Sequence, residues 1–355
     1  MPTVPLTHHA LPGESQPQDL LAFIAAHRLQ LAQDLLVHGA IRFRGYALAT
    51  PQAVEDVALA LDPQLAAGEY LGTSPRNALT RHVHSASELP GYYPIPQHCE
   101  MSFLAHPPTR LYLACLQPSR WGGETPLCDF RLVWRDLDPA VRERLQRRGV
   151  RIVRNYVGPG SPRSLDPFAL KRWDALFGTT DRDAIAQTCA REALVPEWLP
   201  GDRLRLTCTP PVVRVHPETG ESAYFSHLQV FEVGTPEAEL RRIAQLRGTA
   251  HARFWRHAGR LVTALTRHSK HPEDRAMDVT HLDGNPIAQA DLEHVRNVIW
   301  HHQVVEPWQA GDFVLVDNRS TSHGRLPFSG PRQVVIAWHQ LAVPLGHATE
   351  LHEIT

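Results

Sequence analysis

Charge of one sign, paired cysteines and long apolar runs are what this sequence lacks. Its 36 Lys and Arg stand against 37 Asp and Glu, a net charge of −1 over 355 residues. That balance carries no electrostatic footprint for nucleic acid. No apolar run reaches the roughly 20 residues that cross a bilayer. Met1 to His9 has neither the basic nor the apolar stretch of a secretion signal. Neither a membrane nor nucleic acid is therefore expected as a partner. The five cysteines, Cys99, Cys115, Cys128, Cys189 and Cys208, are odd in number and form no CxxC pair. A disulfide framework or zinc ribbon is excluded on that spacing, and a reduced, cytoplasmic protein with buried thiols is expected. Proline is abundant (30) and glycine ordinary (22), which suits short strands joined by tight loops.

What the sequence has in quantity is histidine, 22 in all. The most informative stretch is Gln97-His98-Cys99-Glu100-Met101-Ser102-Phe103. In an extended segment His98 and Glu100 share a face, because strand side chains alternate. Two histidines and one carboxylate on one face of an iron leave positions open for oxygen chemistry. His323, in Asp317-Asn318-Arg319-Ser320-Thr321-Ser322-His323, is the candidate third ligand. The pattern His-x-Asp/Glu is weak alone. It recurs at His216-Pro217-Glu218, His271-Pro272-Glu273 and His281-Leu282-Asp283, where proline or a following Gly284-Asn285-Pro286 points to turns. On spacing alone, His98 reads equally well as a core histidine beside a surface glutamate.

Around this stretch the periodicity predicts helices over Asp19–Val37, closed by Gly39, and over Pro51–Leu61. Asp129–Gly149 reads as a helix in two pieces, restarted by Asp138-Pro139. Helical insertions are expected at about 160–200, with Asp181–Leu194 the clearest, and at 235–302. Strands are expected at Ile41–Gly45, Leu111–Leu116, Ile152–Val157, Leu204–Cys208, Val212–His216, Ala223–Phe231, Val304–Trp308, Phe313–Val316 and Gln333–Trp338. Tyr70 to Pro96 is a long polar loop leading into His98. Such loops are more often functional than passive, so it is expected to line the mouth of a site; a solvated connector is the plain alternative. Residues 1–18 are expected to be a flexible segment before one domain, 19–355. Ligand-bearing strands flanking helical insertions suit a mainly β core, a double-stranded β-helix or jelly roll enclosing a small-molecule site.

Several separated stretches together resemble the TauD/TfdA family of taurine dioxygenase-like enzymes: Ser74-Pro75-Arg76, His98 to Phe103, Gly122-Gly123-Glu124-Thr125-Pro126, His216 to Glu221, Gly311-Asp312 with Asp317-Asn318, and His323 to Arg332. The likeness runs from about Ile41 to Val343. Within the family it is strongest to syringomycin-biosynthesis-type hydroxylases and clavaminate synthase-like proteins. It implies an enzyme using Fe(II), 2-oxoglutarate and O2, with His98, Glu100 and His323 on the metal. It implies that Thr125 and Arg332 grip the distal carboxylate of 2-oxoglutarate. A guanidinium meets a carboxylate with two parallel bonds, which suits that role. The last loop is shorter than the family pattern and Ile336 stands where an arginine is expected, so Arg325 is held in reserve.

Halogenases with this iron site lack the carboxylate, so Glu100 favours oxygen transfer. The implied reaction is hydroxylation of an unactivated C–H in a small, amino-acid-derived substrate, free or on a carrier protein, in a biosynthetic pathway, with succinate and CO2 as co-products. Arg76, Ser85, Ser87, Asn318 and Arg319 are candidate substrate readers. Desaturation or epoxidation at the same centre stays open. So do a zinc hydrolase built on the same ligands and a non-catalytic jelly-roll binding module with a relic metal site.

Overall fold

The computed structural model describes residues 4–65, 70–161, 170–269 and 275–339. In chain order it runs β1 (Leu6–His9), α1 (Pro17–His38), β2 (Ala40–Arg44), α2 (Pro51–Leu61), β3 (His84–Ser85), β4 (Ile95–His98), β5 (Arg110–Gln117), β6 (Trp121–Gly122) and β7 (Leu127–Asp129). Next come α3 (Phe130–Asp136), α4 (Pro139–Arg148), β8 (Arg151–Tyr156), α5 (Trp173–Phe177), α6 (Arg182–Arg191), β9 (Val195–Leu199), β10 (Arg203–Cys208), β11 (Val213–Val215) and β12 (Ser222–Tyr224). The chain continues with α7 (Leu228–Phe231), α8 (Thr235–Arg247), α9 (Ala250–Ser269), β13 (Met277–Thr280), α10 (Gln289–His302), β14 (Phe313–Asp317), β15 (Thr321–Arg325), β16 (Phe328–Ser329) and β17 (Gln333–His339).

The central sheet has the order β1-β2-β14-β5-β17-β3. Its β1–β2 pair is parallel and its other pairs are antiparallel. The middle strands carry unbroken apolar runs, Leu111–Leu116, Phe313–Val316 and Val334–Trp338, because both faces are covered there. Tyr112 and Ala114 of β5 face one core with Phe43, Phe313, Leu20 and Ile24. Leu111 and Leu113 face a second core with Val314, Ile336, Trp338 and Leu127. Helices α1 and α2 cover the first face. A three-stranded sheet, β4-β15-β7, lies on the second side, with Leu127 of β7 reaching the core there. In it His323 is directly opposite His98. The four-stranded sheet β13-β8-β10-β9 stands apart from both.

Helix ends follow local chemistry. Asp138 caps α4 by accepting from the Ala140 amide at 2.7 Å. Gly39 closes α1 in the left-handed region at φ +69°.

Several expectations are corrected. Leu6–His9 was assigned to a flexible segment but forms β1, paired in register with Ile41–Arg44. Helix α1 is long and apolar enough to cross a membrane by length and composition, contrary to the expectation that no stretch is. A core helix passes the same test, and Leu20, Ile24, Leu31 and Leu35 of α1 are buried against the protein. The strand expected through Ala223–Phe231 stops at Tyr224 and turns into α7. Val304–Trp308 is no strand; only Val304 bridges, to Leu127. Both helical insertions also hold strands, β9 in the first and β13 in the second, and both join the sheet of β8 and β10. Residues 162–169 of the first insertion, His271-Pro272-Glu273 and the end of the family likeness at 340–343 lie outside the described residues.

Replacing Phe43 with Ala should cost about 3–5 kcal/mol, the usual loss for a fully buried aromatic. Its ring packs near Phe23 and Phe313. Urea unfolding measures the change, and a loss below about 1 kcal/mol would contradict this account of the core.

Candidate active site

Strand β4 ends at His98, so Glu100 does not share a strand face with it as the sequence suggested. Glu100 instead opens the turn that follows, in which Met101 sits at φ +51°, and its carboxylate lies beside the imidazole. His98, Glu100 and His323 then offer ligand atoms that all lie within 4.8 Å of one another. The His98 Nδ1–H donates to the Pro96 carbonyl at 2.8 Å. A carbonyl can only accept, so Nε2 is left with its lone pair facing the cluster. The Glu100 carboxylate lies 3.5 Å from His323 Nε2 and 3.9 Å from His98 Nε2. Burial opposes its charge, but Arg76 and the two histidines outweigh burial and hold the carboxyl well below the usual range. Burial, with His98 alongside, drops His323 to about 4. At neutral pH His323 is a neutral imidazole beside an ionised carboxylate. That donor set suits a divalent transition metal.

The backbone of Glu100 is clamped. Its N–H donates to Asn318 Oδ1 at 2.6 Å, and Asn318 Nδ2 donates back to the Glu100 carbonyl at 3.1 Å and to Pro108 at 2.7 Å. On the side-chain side, Arg76 Nη2 donates at 2.9 Å and the Tyr70 hydroxyl at 3.1 Å.

A small cavity opens beside this cluster, lined by His98, His323, Thr125, Arg332, Leu113 and Ile336 among others. Arg332 Nη2 donates to Thr125 Oγ1 at 3.3 Å and its Nε to the Gly123 carbonyl at 3.0 Å. Gly123 sits at φ +74°, and a Cβ there would press on Arg332 and Phe328; glycine admits the close approach. Arg332 makes no ion pair among the described residues. Burial pulls it down to about 10, so it stays charged. A buried, unpaired guanidinium next to a hydroxyl fits the distal carboxylate of a 2-oxo dicarboxylic acid.

The other sequence candidates divide. Arg325 lines the same cavity, but its Nη atoms donate to the Leu89, Pro90 and Tyr93 carbonyls and hold the loop before β4. Arg76 and Ser87 line the cavity, with Arg76 committed to Glu100 and the Ala86 carbonyl. Ser85 accepts from the Asn77 amide. Asn318 is fully buried in its clamp, and Arg319 points toward Glu218 at 3.6 Å. His216 donates to Asp317 at 3.1 Å and closes its own turn, and His281 hydrogen-bonds Gly149; neither joins the cluster.

Four residues escaped sequence reasoning. Tyr70 holds Glu100. The Trp308 indole donates to Thr125 at 3.0 Å. His227 pairs with Ser102 at 2.6 Å and lies 5.4 Å, ring to ring, from His98. Arg154 on β8 is fully buried. Its guanidinium lies 4.1 Å over the Phe103 ring. That contact is worth about 2 kcal/mol when desolvated, less than the several kcal/mol that burying an ion costs. The signal for Arg154 was its phase, in step with buried Ile152 and Tyr156.

Comparison with known proteins gives a consistent set of likenesses. The family model described as taurine catabolism dioxygenase TauD, TfdA family matches residues 3–338. The dapdiamide synthesis protein DdaC of Enterobacter agglomerans is 26% identical over 299 residues, covering 84% of this chain and 81% of its own. A clavaminate synthase-like protein of Arabidopsis thaliana is 26% identical over 311 residues, covering 85% and 82%. The crystal structure of PvcB from Pseudomonas aeruginosa aligns with a TM-score of 0.46 and 15% identity, covering 88% of this chain and 79% of that one.

Asn318→Ala should loosen the Glu100 turn. Divalent metal affinity, measured by calorimetry with Co(II), is expected to fall about 10–100-fold, as for other residues that orient a metal ligand. Unchanged affinity would show that the clamp does not position Glu100.

Proposed function

The chain belongs to the taurine catabolism dioxygenase TauD/TfdA family, and from that premise we propose that it hydroxylates an unactivated C–H of a small, amino-acid-derived substrate. It is an Fe(II)- and 2-oxoglutarate-dependent dioxygenase, as the family's members are. In this reading His98, Glu100 and His323 hold the iron, and Thr125 and Arg332 hold the distal carboxylate of 2-oxoglutarate. The observation that carries the reading is one cavity with two imidazoles at one end, an ionised carboxylate beside them, and on its wall an arginine with no ion pair among the described residues.

Bound iron with 2-oxoglutarate and O2 supplies the oxidising power that breaks the C–H bond. The residues of this chain do the positioning. Pro96 fixes the tautomer of His98, Asn318 fixes the backbone of Glu100, and Arg76 with Tyr70 aims its carboxylate. Leu113, Val334 and Ile336 keep the cavity wall apolar and exclude water. Glu100 occupies the position that a halide would need, which favours hydroxylation.

The likeness to a protein named for dapdiamide synthesis supports a biosynthetic setting and a substrate derived from amino acids, free or carried on a partner protein. A double-stranded β-helix core is supported by the antiparallel β4-β15-β7 sheet lying across the site from the central sheet. We read residues 4–339 as one catalytic domain. Five free, buried cysteines support a reducing compartment such as the cytoplasm.

Anaerobic addition of Fe(II) and 2-oxoglutarate should produce a visible metal-to-ligand charge-transfer band, absent from His98→Ala. A folded wild-type protein without the band would sink the assignment. Arg332→Ala should weaken 2-oxoglutarate at least about 30-fold, the cost of removing a buried charged partner; turnover at unchanged apparent affinity would remove Arg332 from the cofactor site. Glu100→Ala should abolish hydroxylated product, read by mass spectrometry.

A further inference from the structure

Most of the described arginines in this protein face a carboxylate or a carbonyl. Arg44 grips Asp312 through Nε at 2.8 Å and Nη2 at 2.7 Å. Arg144 grips Asp291 with the same two atoms at 3.0 and 2.7 Å. That edge of the guanidinium is a fork matched to the two oxygens of a carboxylate. Arg154 presents the same edge with nothing on it. Its Nε and Nη2 are both buried and without a partner, while Nη1 donates to the Leu71 carbonyl at 3.4 Å. Among the described residues it is the one arginine with both fork atoms buried and bare.

Among the described residues the surroundings hold donors and no acid. The Tyr156 hydroxyl is also buried without a partner, its ring 5.8 Å from the guanidinium. Lys171 donates to the Tyr70 carbonyl at 3.3 Å, and burial with Arg76 and Arg154 nearby pulls it down to about 8. Cys189 and Cys208 stay neutral thiols, because burial pushes both up. The fork is also close to the metal cluster by two routes. Phe103 lies under Arg154 and 5.0 Å from His227, which abuts His98. Leu71 follows Tyr70, whose hydroxyl meets Glu100.

We propose that Arg154 receives a carboxylate of the substrate, so that the substrate is a small acid anchored at that fork with its reacting carbon toward His98 and His323. This deepens the proposed function and rests on it, since it assumes that the oxidation occurs at that cluster. The anchor lies on β8, away from Arg332, and so keeps the substrate's acid group distinct from that of 2-oxoglutarate.

The test follows thermal unfolding of protein loaded anaerobically with Fe(II) and 2-oxoglutarate. Sodium acetate is titrated against acetamide, with chloride holding ionic strength constant, in wild type, Arg154→Met, Arg154→Lys and Arg332→Ala. A ligand that binds only the folded state raises the midpoint. Acetate, and not acetamide, should raise it in wild type and in Arg332→Ala. In Arg154→Met the apparent acetate affinity should fall roughly tenfold or more, as when a charged hydrogen-bond partner is lost, with Arg154→Lys between. Without acetate, Arg154→Met should melt at or above the wild-type midpoint, because it removes an uncompensated buried cation. A lower midpoint, failure to fold, no acetate response in wild type, or an undiminished response in Arg154→Met would overturn the proposal. The charge-transfer band is read in the same samples. Its absence from wild type sinks the iron and 2-oxoglutarate assignment, whereas a wild-type band without an acetate response sinks the Arg154 receptor alone.

Discussion

Glu100 carries a negative charge where water scarcely reaches it, and a charge so placed must be met by the protein itself. Arg76 meets one carboxylate oxygen and Tyr70 the other. Both come from the long segment before β4, so that segment is shaped by the carboxylate it serves. Arg76 also reaches the Ala86 carbonyl and stacks 4.5 Å over the Tyr70 ring, tying both ends of the loop together. From the opposite side Asn318 holds the main chain. The charge of one side chain thus organises an N-terminal loop and a C-terminal turn around a common point.

Cations repeat the theme with the sign reversed. Arg44, Arg131, Arg144 and Arg296 each have a carboxylate within 3.0 Å. Among the described residues Arg332 and Arg154 have none, and each stands near the cluster of His98, Glu100 and His323. Arg325 also lacks a carboxylate, but three carbonyls occupy its Nη atoms, which leaves Arg332 and Arg154 as the two positive receptors beside the cluster. Two acids, one the co-substrate and one the substrate, would complete the pairing.

How much of this was legible in the sequence depends on where the information resides. Leu111–Leu116 and Phe313–Val316 read as strands because their burial on both faces leaves an unbroken apolar run. His98 and Glu100 do come together with His323, but not on one strand face: β4 ends at His98 and Glu100 opens the turn after it. Val304–Trp308 looked like a strand by composition, yet Trp308 serves by a single indole bond to Thr125. Asn318 and Arg319 were chosen for their nearness to His323 in sequence, but neighbours in a turn point to different surroundings. One is sealed in a clamp and the other leans on Glu218. Arg154 was passed over because an arginine in a strand ordinarily reads as a solvated face. Only tertiary packing shows that its phase is the inward one.

The pairing of β4 with β15 shows what gathers the two histidines. Gln97 and Ser322, flanking the two histidines, are hydrogen-bonded across 225 residues of chain. Closing so wide a loop costs chain entropy, and the central sheet makes the same demand, because Phe313 of β14 pairs with Phe43 of β2 from the other end of the chain. In a zinc finger the metal gathers the chain; here strand pairing and the bond between Gln97 and Ser322 bring His98 and His323 together.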